Sequence, residues 1–368
     1  VLLRGALDGL AAAPPLGDPA YAALRGDHAL SLTDATPALP LNADFALHPA
    51  LKNLKALYDA GQMTLVHAAA IPVVNRSHFE AQAILETGGV RTGGSVGWLN
   101  RALGPLGVDT ASEAVAYAPA TPLALSGPAP ATSYTPATAE PGSAEFFRRV
   151  AALYGDQPAL AKALATGLEV RGMAELAAHD GGAPDEMAGE RRGRRIGSDL
   201  KGLAATAGRM MAAEDGVRIA VLEAGGWDTH VNQGAAGGQL ATRLGQLDDA
   251  LATLRNALGD AWAATTVIVA TEFGRTARFN GSGGTDHGVG AAAFLLGGAV
   301  AGGRVVANWP GVADRQLHEG RDLAGTTDIR SLFKGVLADH MRLSTPALET
   351  VVFPDSAAAR PLRGLIRA

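Results

Sequence analysis

Along the chain, short solid runs of apolar residues alternate with longer amphipathic segments. Val1-Leu2-Leu3-Arg4 reads as the last part of a buried strand, so the numbered chain is expected to begin after a removed segment, for which a signal peptide is one candidate. Met63-Thr64-Leu65-Val66-His67-Ala68 is a second short buried run. Val217 to Glu223 is a third, Thr265 to Ala270 a fourth rich in β-branched residues, and Ala291 to Leu296 a fifth. Between them the apolar period becomes helical. His48 to Ala60 is amphipathic and stops at Gly61. Residues 236–258 carry Leu240, Leu244, Leu247, Leu251 and Leu254 on one helical face, and 329–341 form a late helix. Ser77 with Glu80 three residues on predicts a capping box that opens a helix to about Glu86. Strands alternating with helices predict an α/β fold, with a mostly parallel central sheet covered by helices on both faces.

One stretch departs from this rhythm. Residues 119–142 are dense in Pro, Ala, Thr and Ser and read as a long loop, and 143–213 are helical except for a break at Gly181-Gly182-Ala183-Pro184-Asp185. The break is too short for a domain boundary. The expectation is one domain over 1–368, with 119–213 as a loop and helical insertion or cap.

The chain of 368 residues can bury a large core, and 47% hydrophobic with 18% charged residues is the composition of an ordinary globular protein. A formal charge of -5 gives no basic footprint for nucleic acid, and no apolar run is long enough for a transmembrane helix. There is no cysteine, which excludes disulfides, thiolate ligands and a cysteine nucleophile.

The candidate chemistry is positional. Asp8, Asp228 with His230, and Glu272 each follow a predicted strand, and strand ends of a doubly wound sheet converge on one rim. Asp286 and His287 sit in the glycine-rich run Gly284-Thr285-Asp286-His287-Gly288. Oxygen ligands and imidazoles gathered there suit one or two divalent cations: Zn, Mn, Mg or Ca. Without a cation, gathered carboxylates would repel and raise one another's pKa. Ser77 opens a helix, where amide groups favour an anion, although serine is also an ordinary N-cap. Glu272 is open to three roles: ligand, base or partner of Arg275. His48 and His67 read as structural; His28, His179, His318 and His340 fit no site pattern; His78, beside Ser77, is ambiguous.

Leu3-Arg4-Gly5-Ala6-Leu7-Asp8-Gly9-Leu10, Asn75-Arg76-Ser77-His78-Phe79-Glu80, Gly97-Trp98-Leu99-Asn100-Arg101, Gly226-Trp227-Asp228-Thr229-His230, Thr271-Glu272-Phe273-Gly274-Arg275 and Gly284-Thr285-Asp286-His287-Gly288 resemble, in order and spacing, the domain-of-unknown-function 1501 family. That family is similar to sulfatases and belongs with the alkaline phosphatase-like superfamily. The resemblance implies that fold, and a periplasmic or secreted protein, because members often carry a twin-arginine export signal. It implies that Asp8 and Ser77 share one metal while Asp228 and His230 hold the other. The usual Asp-His pair after a further strand is missing: Glu272 is followed by Phe273. Either Glu272 replaces the Asp and His287 is the separate His, or Asp286-His287 is the pair itself. The sulfatase signature is absent too, since there is no Cys and Ser77 is followed by His78-Phe79-Glu80.

The expected function is a metal-dependent hydrolase of phosphate or sulfate esters, acting on a small or polymeric anionic substrate. Metal-activated Ser77 attacks in line, and Arg76, Arg275 or the helix start binds the anion. A noncatalytic binding protein that keeps the fold and a structural metal is the alternative, and a metal-dependent mutase or transferase a third. Substrate, metal identity and oligomeric state are not legible.

Overall fold

A computed structural model describes residues 1–135, 144–154, 156–179 and 200–367. Eleven strands are present among them: β1 (Leu2–Arg4), β2 (Leu39–Pro40), β3 (Ala46–Leu47), β4 (Met63–Ala70), β5 (Ala114–Tyr117), β6 (Thr132–Ser133), β7 (Ile219–Gly225), β8 (Val267–Thr271), β9 (Ala291–Leu296), β10 (Arg304–Val306) and β11 (Thr327–Asp328). Ten α-helices accompany them: α1 (Gly9–Ala12), α2 (Tyr21–Arg25), α3 (Lys52–Asp59), α4 (His78–Thr87), α5 (Trp98–Leu103), α6 (Ala144–Leu153), α7 (Pro158–His179), α8 (Leu200–Ala212), α9 (Gln239–Leu258) and α10 (Ile329–Asp339).

Nine strands form one sheet in the order β10-β4-β9-β8-β1-β7-β5-β6, with β11 also on β4. All pairings are parallel except those of β9, which runs antiparallel to both β4 and β8. The sheet is therefore mostly parallel, and both faces are buried, as parallel sheets require. The period of two along β9 makes the division visible. Ala292, Phe294 and Leu296 enter a core with α3, α8 and α9, whereas Ala293 and Leu295 enter a second core with α4, α5 and α10. On the first face all five leucines expected along α9 are buried. Asp248 of α9 also caps α3, accepting from the amides of Asn53 at 2.8 Å and Leu54 at 2.9 Å. This joins the two helices by a bond of the kind worth about 1 kcal/mol at an N-cap.

Three local expectations change. The Ser77 side chain makes no capping bond. Instead the Asn75 side chain accepts from the Ser77 amide at 2.8 Å and donates to Glu80 at 2.7 Å, so an Asx turn does the work expected of a capping box. The helix expected from 236 starts at Gln239, because Gly234 and Gly238 hold φ of 82° and 107°. The helix expected from His48 starts at Lys52, and His48 instead accepts the Ala50 amide and bonds the carbonyl of Ala235. Strand β5 was not expected at all. Helices α6, α7 and α8 occupy the stretch read as an insertion, and Val170 and Ala174 of α7 join the core on the α8–α9 face. The break at Gly181–Asp185 and residues 136–143 lie outside the described residues.

Strand direction decides where side chains meet. Parallel β1, β7 and β8 are neighbours, so Arg4, Gly225 and Thr271 end on one rim. Antiparallel β9 begins there, since Ala291 pairs with Ala69 near the end of β4. Four connections therefore open on the same rim, carrying Asp8, Asn75 to His78, Asp228 to His230, and, between β8 and β9, Glu272 with Asp286 and His287.

Candidate metal centre

Two imidazoles flank that of His287 at this rim. The Nε2 of His287 lies 3.0 Å from that of His78 and 3.0 Å from that of His230. Asp228 completes the group, its Oδ1 2.9 Å from His230 and 3.2 Å from His287, its Oδ2 3.4 Å from His78. Ligand atoms of His78, Asp228 and His287 all lie within 4.8 Å of one another.

The outward nitrogens explain the inward ones. Nδ1 of His78 bonds Glu272 at 2.8 Å, that of His230 bonds Asp286 at 2.8 Å, and that of His287 bonds the carbonyl of Arg76 at 2.7 Å. Each of these partners is an acceptor, so each Nδ1 carries the hydrogen. In the neutral ring Nε2 is then a bare lone pair. The lone pair of His287 lies 3.0 Å from each of the other two, and the Asp228 oxygens lie 2.9–3.4 Å from all three; such groups repel unless positive charge lies among them. Donors around a tetrahedral zinc ion, with Zn–N near 2.0–2.1 Å, are about 3.3 Å apart. The donor set therefore fits a divalent cation, and carboxylate–histidine pairing is the usual support for one.

Close backbone contacts hold the group. Gly5 has φ 119°, and a Cβ there would lie 2.6 Å from the amide nitrogen of Asp228. Gly284 packs against the backbone of His230, where a Cβ would meet its carbonyl at 2.2 Å. The amide of Thr276 bonds the carbonyl of Asp286 at 2.8 Å and that of Gly288 the carbonyl of Gly274 at 2.8 Å, so the His287 loop lies antiparallel to the segment after β8.

Electrostatics keeps the carboxylates ionised. Burial opposes the charge on Asp228, but the Arg275 guanidinium and the two nearby imidazoles hold its carboxyl below the usual range. Burial likewise opposes Glu272, and hydrogen bonds from backbone, Gln82 and His78 bring it down. Asp286 is lowered first by its bond from His230. Burial lowers His287, which favours the neutral, metal-binding ring.

The remaining expected residues are elsewhere or otherwise engaged. Asp8 is 1% exposed and faces Arg25 and Gln233 rather than the imidazoles. Burial alone would raise its carboxyl, but Arg25 holds it low. Ser77 is exposed and precedes His78. Arg275, 1% exposed, bonds Asp228, Thr285 and the carbonyl of Gly5. The Arg76 guanidinium is bound by Asp322 at 2.6 Å and Glu319 at 2.8 Å, so its part in the cluster is its backbone carbonyl. Glu272 and Asp286 are both one step outside the gathered donors, each behind a histidine. His78 is the donor that sequence reasoning left ambiguous. Its position next to the helix-opening Ser77 was the available signal.

The model of the family described as a protein of unknown function, DUF1501, matches residues 38–352. The chain belongs to the DUF1501 family. In this DUF1501 chain the matched span includes every gathered donor, while Asp8 and Arg25 precede it. No curated protein and no solved structure matches the chain.

Proposed function

We propose that this DUF1501 protein is a metal-dependent hydrolase of phosphate or sulfate esters with an alkaline phosphatase-like fold, working outside the cytoplasm. One observation carries the reading: His78, Asp228 and His287 offer ligand atoms within 4.8 Å of one another, His230 adjoins Asp228 and His287, and every Nδ1 of the three rings is committed to an acceptor. His78, His230, His287 and Asp228 hold the cation. A divalent ion there supplies Lewis-acid neutralisation of charge developing on ester oxygens. Ser77 is the nucleophile: its hydroxyl is exposed, makes no capping bond and opens the ten-residue helix α4, whose first amides can receive an anion. Glu272 and Asp286 fix the rings of His78 and His230.

Elemental analysis of the purified protein tests this first. Metal present in the wild type and absent from both His230→Ala and His287→Ala supports the centre. Metal-dependent turnover in a panel of phosphate and sulfate esters, abolished in Ser77→Ala with metal content unchanged, supports the chemistry. A second reading, a noncatalytic binding protein with a structural metal, is favoured by the enclosure of Asp8. It requires metal without turnover on any ester in the panel.

A further inference from the structure

A second cation at Asp8 is the obvious extension of a strand-end carboxylate beside a metal centre, and the residues around Asp8 do not fit one. Oδ1 accepts from the amides of Leu10 and Ala11, each at 3.1 Å, and from Arg25 at 2.5 Å. Oδ2 accepts from Arg25 at 2.9 Å and from Gln233 at 2.7 Å. A carboxylate offers about four lone-pair positions, and these five donors use them all. Asp8 is 1% exposed and Arg25 3% exposed, so no open edge remains.

The bonds continue inward with consistent polarity. Gln233 donates to Asp8 through its amide nitrogen, so its oxygen is left to accept, which it does from Thr229 at 2.7 Å and Thr285 at 2.6 Å. Thr285 in turn accepts from Arg275 at 3.2 Å, and Arg275 holds Asp228. Gln233 and Thr285 are both fully buried. The path Arg25, Asp8, Gln233, Thr285, Arg275, Asp228 is an ion pair at each end joined by two neutral links, and it ends on a cation donor. A metal at Asp8 would have to expel Arg25 and strand a buried guanidinium.

We infer that each chain holds one divalent cation, with Arg25 as the fixed positive charge that satisfies Asp8 in place of a second ion. This rests on the metal reading above. The test is stoichiometry rather than turnover. Chelator-stripped protein is titrated calorimetrically with Zn²⁺ and, separately, Mn²⁺, and metal retained after gel filtration is measured by elemental analysis. The comparison variants are His230→Ala and the charge-neutral pair Asp8→Asn with Arg25→Gln. One equivalent in the wild type, lost in His230→Ala and kept in the Asp8/Arg25 variant, is the expected result. Two equivalents in the wild type, or loss of the single equivalent in the Asp8/Arg25 variant, overturns this inference and leaves the metal centre standing. No binding at all overturns both. If the Asp8/Arg25 variant does not fold, the wild-type stoichiometry decides alone.

Discussion

Asp8 and Asp228 follow neighbouring parallel strands, with Arg4 of β1 opposite Gly225 of β7, and they end in opposite circumstances. Asp8 is enclosed by Arg25 and Gln233. Two imidazoles close enough to feel its charge are spent on the backbone: His67 bonds the carbonyl of Ala13 and His48 that of Ala235, each at 2.9 Å. The Asp228 side chain is 41% exposed, and its imidazoles turn their free nitrogens toward it. A sheet delivers carboxylates to one rim. What decides between a structural ion pair and a ligand is whether a protein cation reaches the carboxylate from the far side and closes it off.

The sharpest way to break this contrast is to remove each acid. Asp8→Ala leaves Arg25, 3% exposed, without its counterion, and the expected loss is about 3–5 kcal/mol in urea unfolding. Asp228→Asn keeps a neutral acceptor for the buried Arg275, which also retains its bonds to Thr285 and the carbonyl of Gly5, so the expected loss in metal-free protein is smaller, about 1–2 kcal/mol. Its cation binding is expected to disappear. Equal destabilisation by the two variants would falsify the division into an enclosed and an open acid.

The imidazoles sharpen the contrast further. Burial lowers His67 from 6.5 to about 4. The unfolded chain therefore binds the proton that the folded chain refuses between those values. The stability this ring contributes is complete above pH 6.5 and is lost as pH falls toward 4. The expected loss across that window is up to about 3 kcal/mol. Denaturation midpoints at pH 7 and 4.5, with chelator present so that no metal contributes, measure it. In His67→Gln, which can still donate to Ala13, the slope should flatten. An unchanged slope would assign the acid sensitivity elsewhere.

The α/β class and five of the eleven strands, β1, β4, β7, β8 and β9, were legible because solid apolar runs and helical leucine spacing are local signals. The rim was legible too, since strand ends in such a sheet converge. Strand β5 was not, because Ala114–Tyr117 is four buried residues without flanking punctuation strong enough to mark it. The antiparallel course of β9 was equally hidden: an apolar run carries no direction. At the site, Asp228, His230 and His287 were named as ligands and do meet. Asp8 was named with them, and what sets it apart is Arg25, seventeen residues on and brought to it only by the turn through α1 and α2. Glu272 and Asp286 were competing ligands in sequence. Folded, each stands behind a different histidine, an outcome that depends on which ring nitrogen faces the carboxylate and so on rotamers no spacing encodes.

That pairing gives the smallest and most discriminating test. Glu272 is fully buried and accepts from Gly5, His78, Gln82 and Thr271 at 2.8–3.1 Å. Asp286 is 46% exposed and accepts from His230 and Asn280. Removing an acceptor behind a ligating histidine costs roughly 10–100-fold in metal affinity. Water can replace the acceptor at Asp286 but not at Glu272, where an amide would turn a donor toward other donors. Competition against a chromophoric chelator should therefore put Asp286→Asn near the ~10-fold end and Glu272→Gln near the ~100-fold end. A larger effect at Asp286 would mean that the charge behind His230, rather than the burial behind His78, governs the centre. The open side of the rim would then hold its cation by electrostatics more than by a rigid frame.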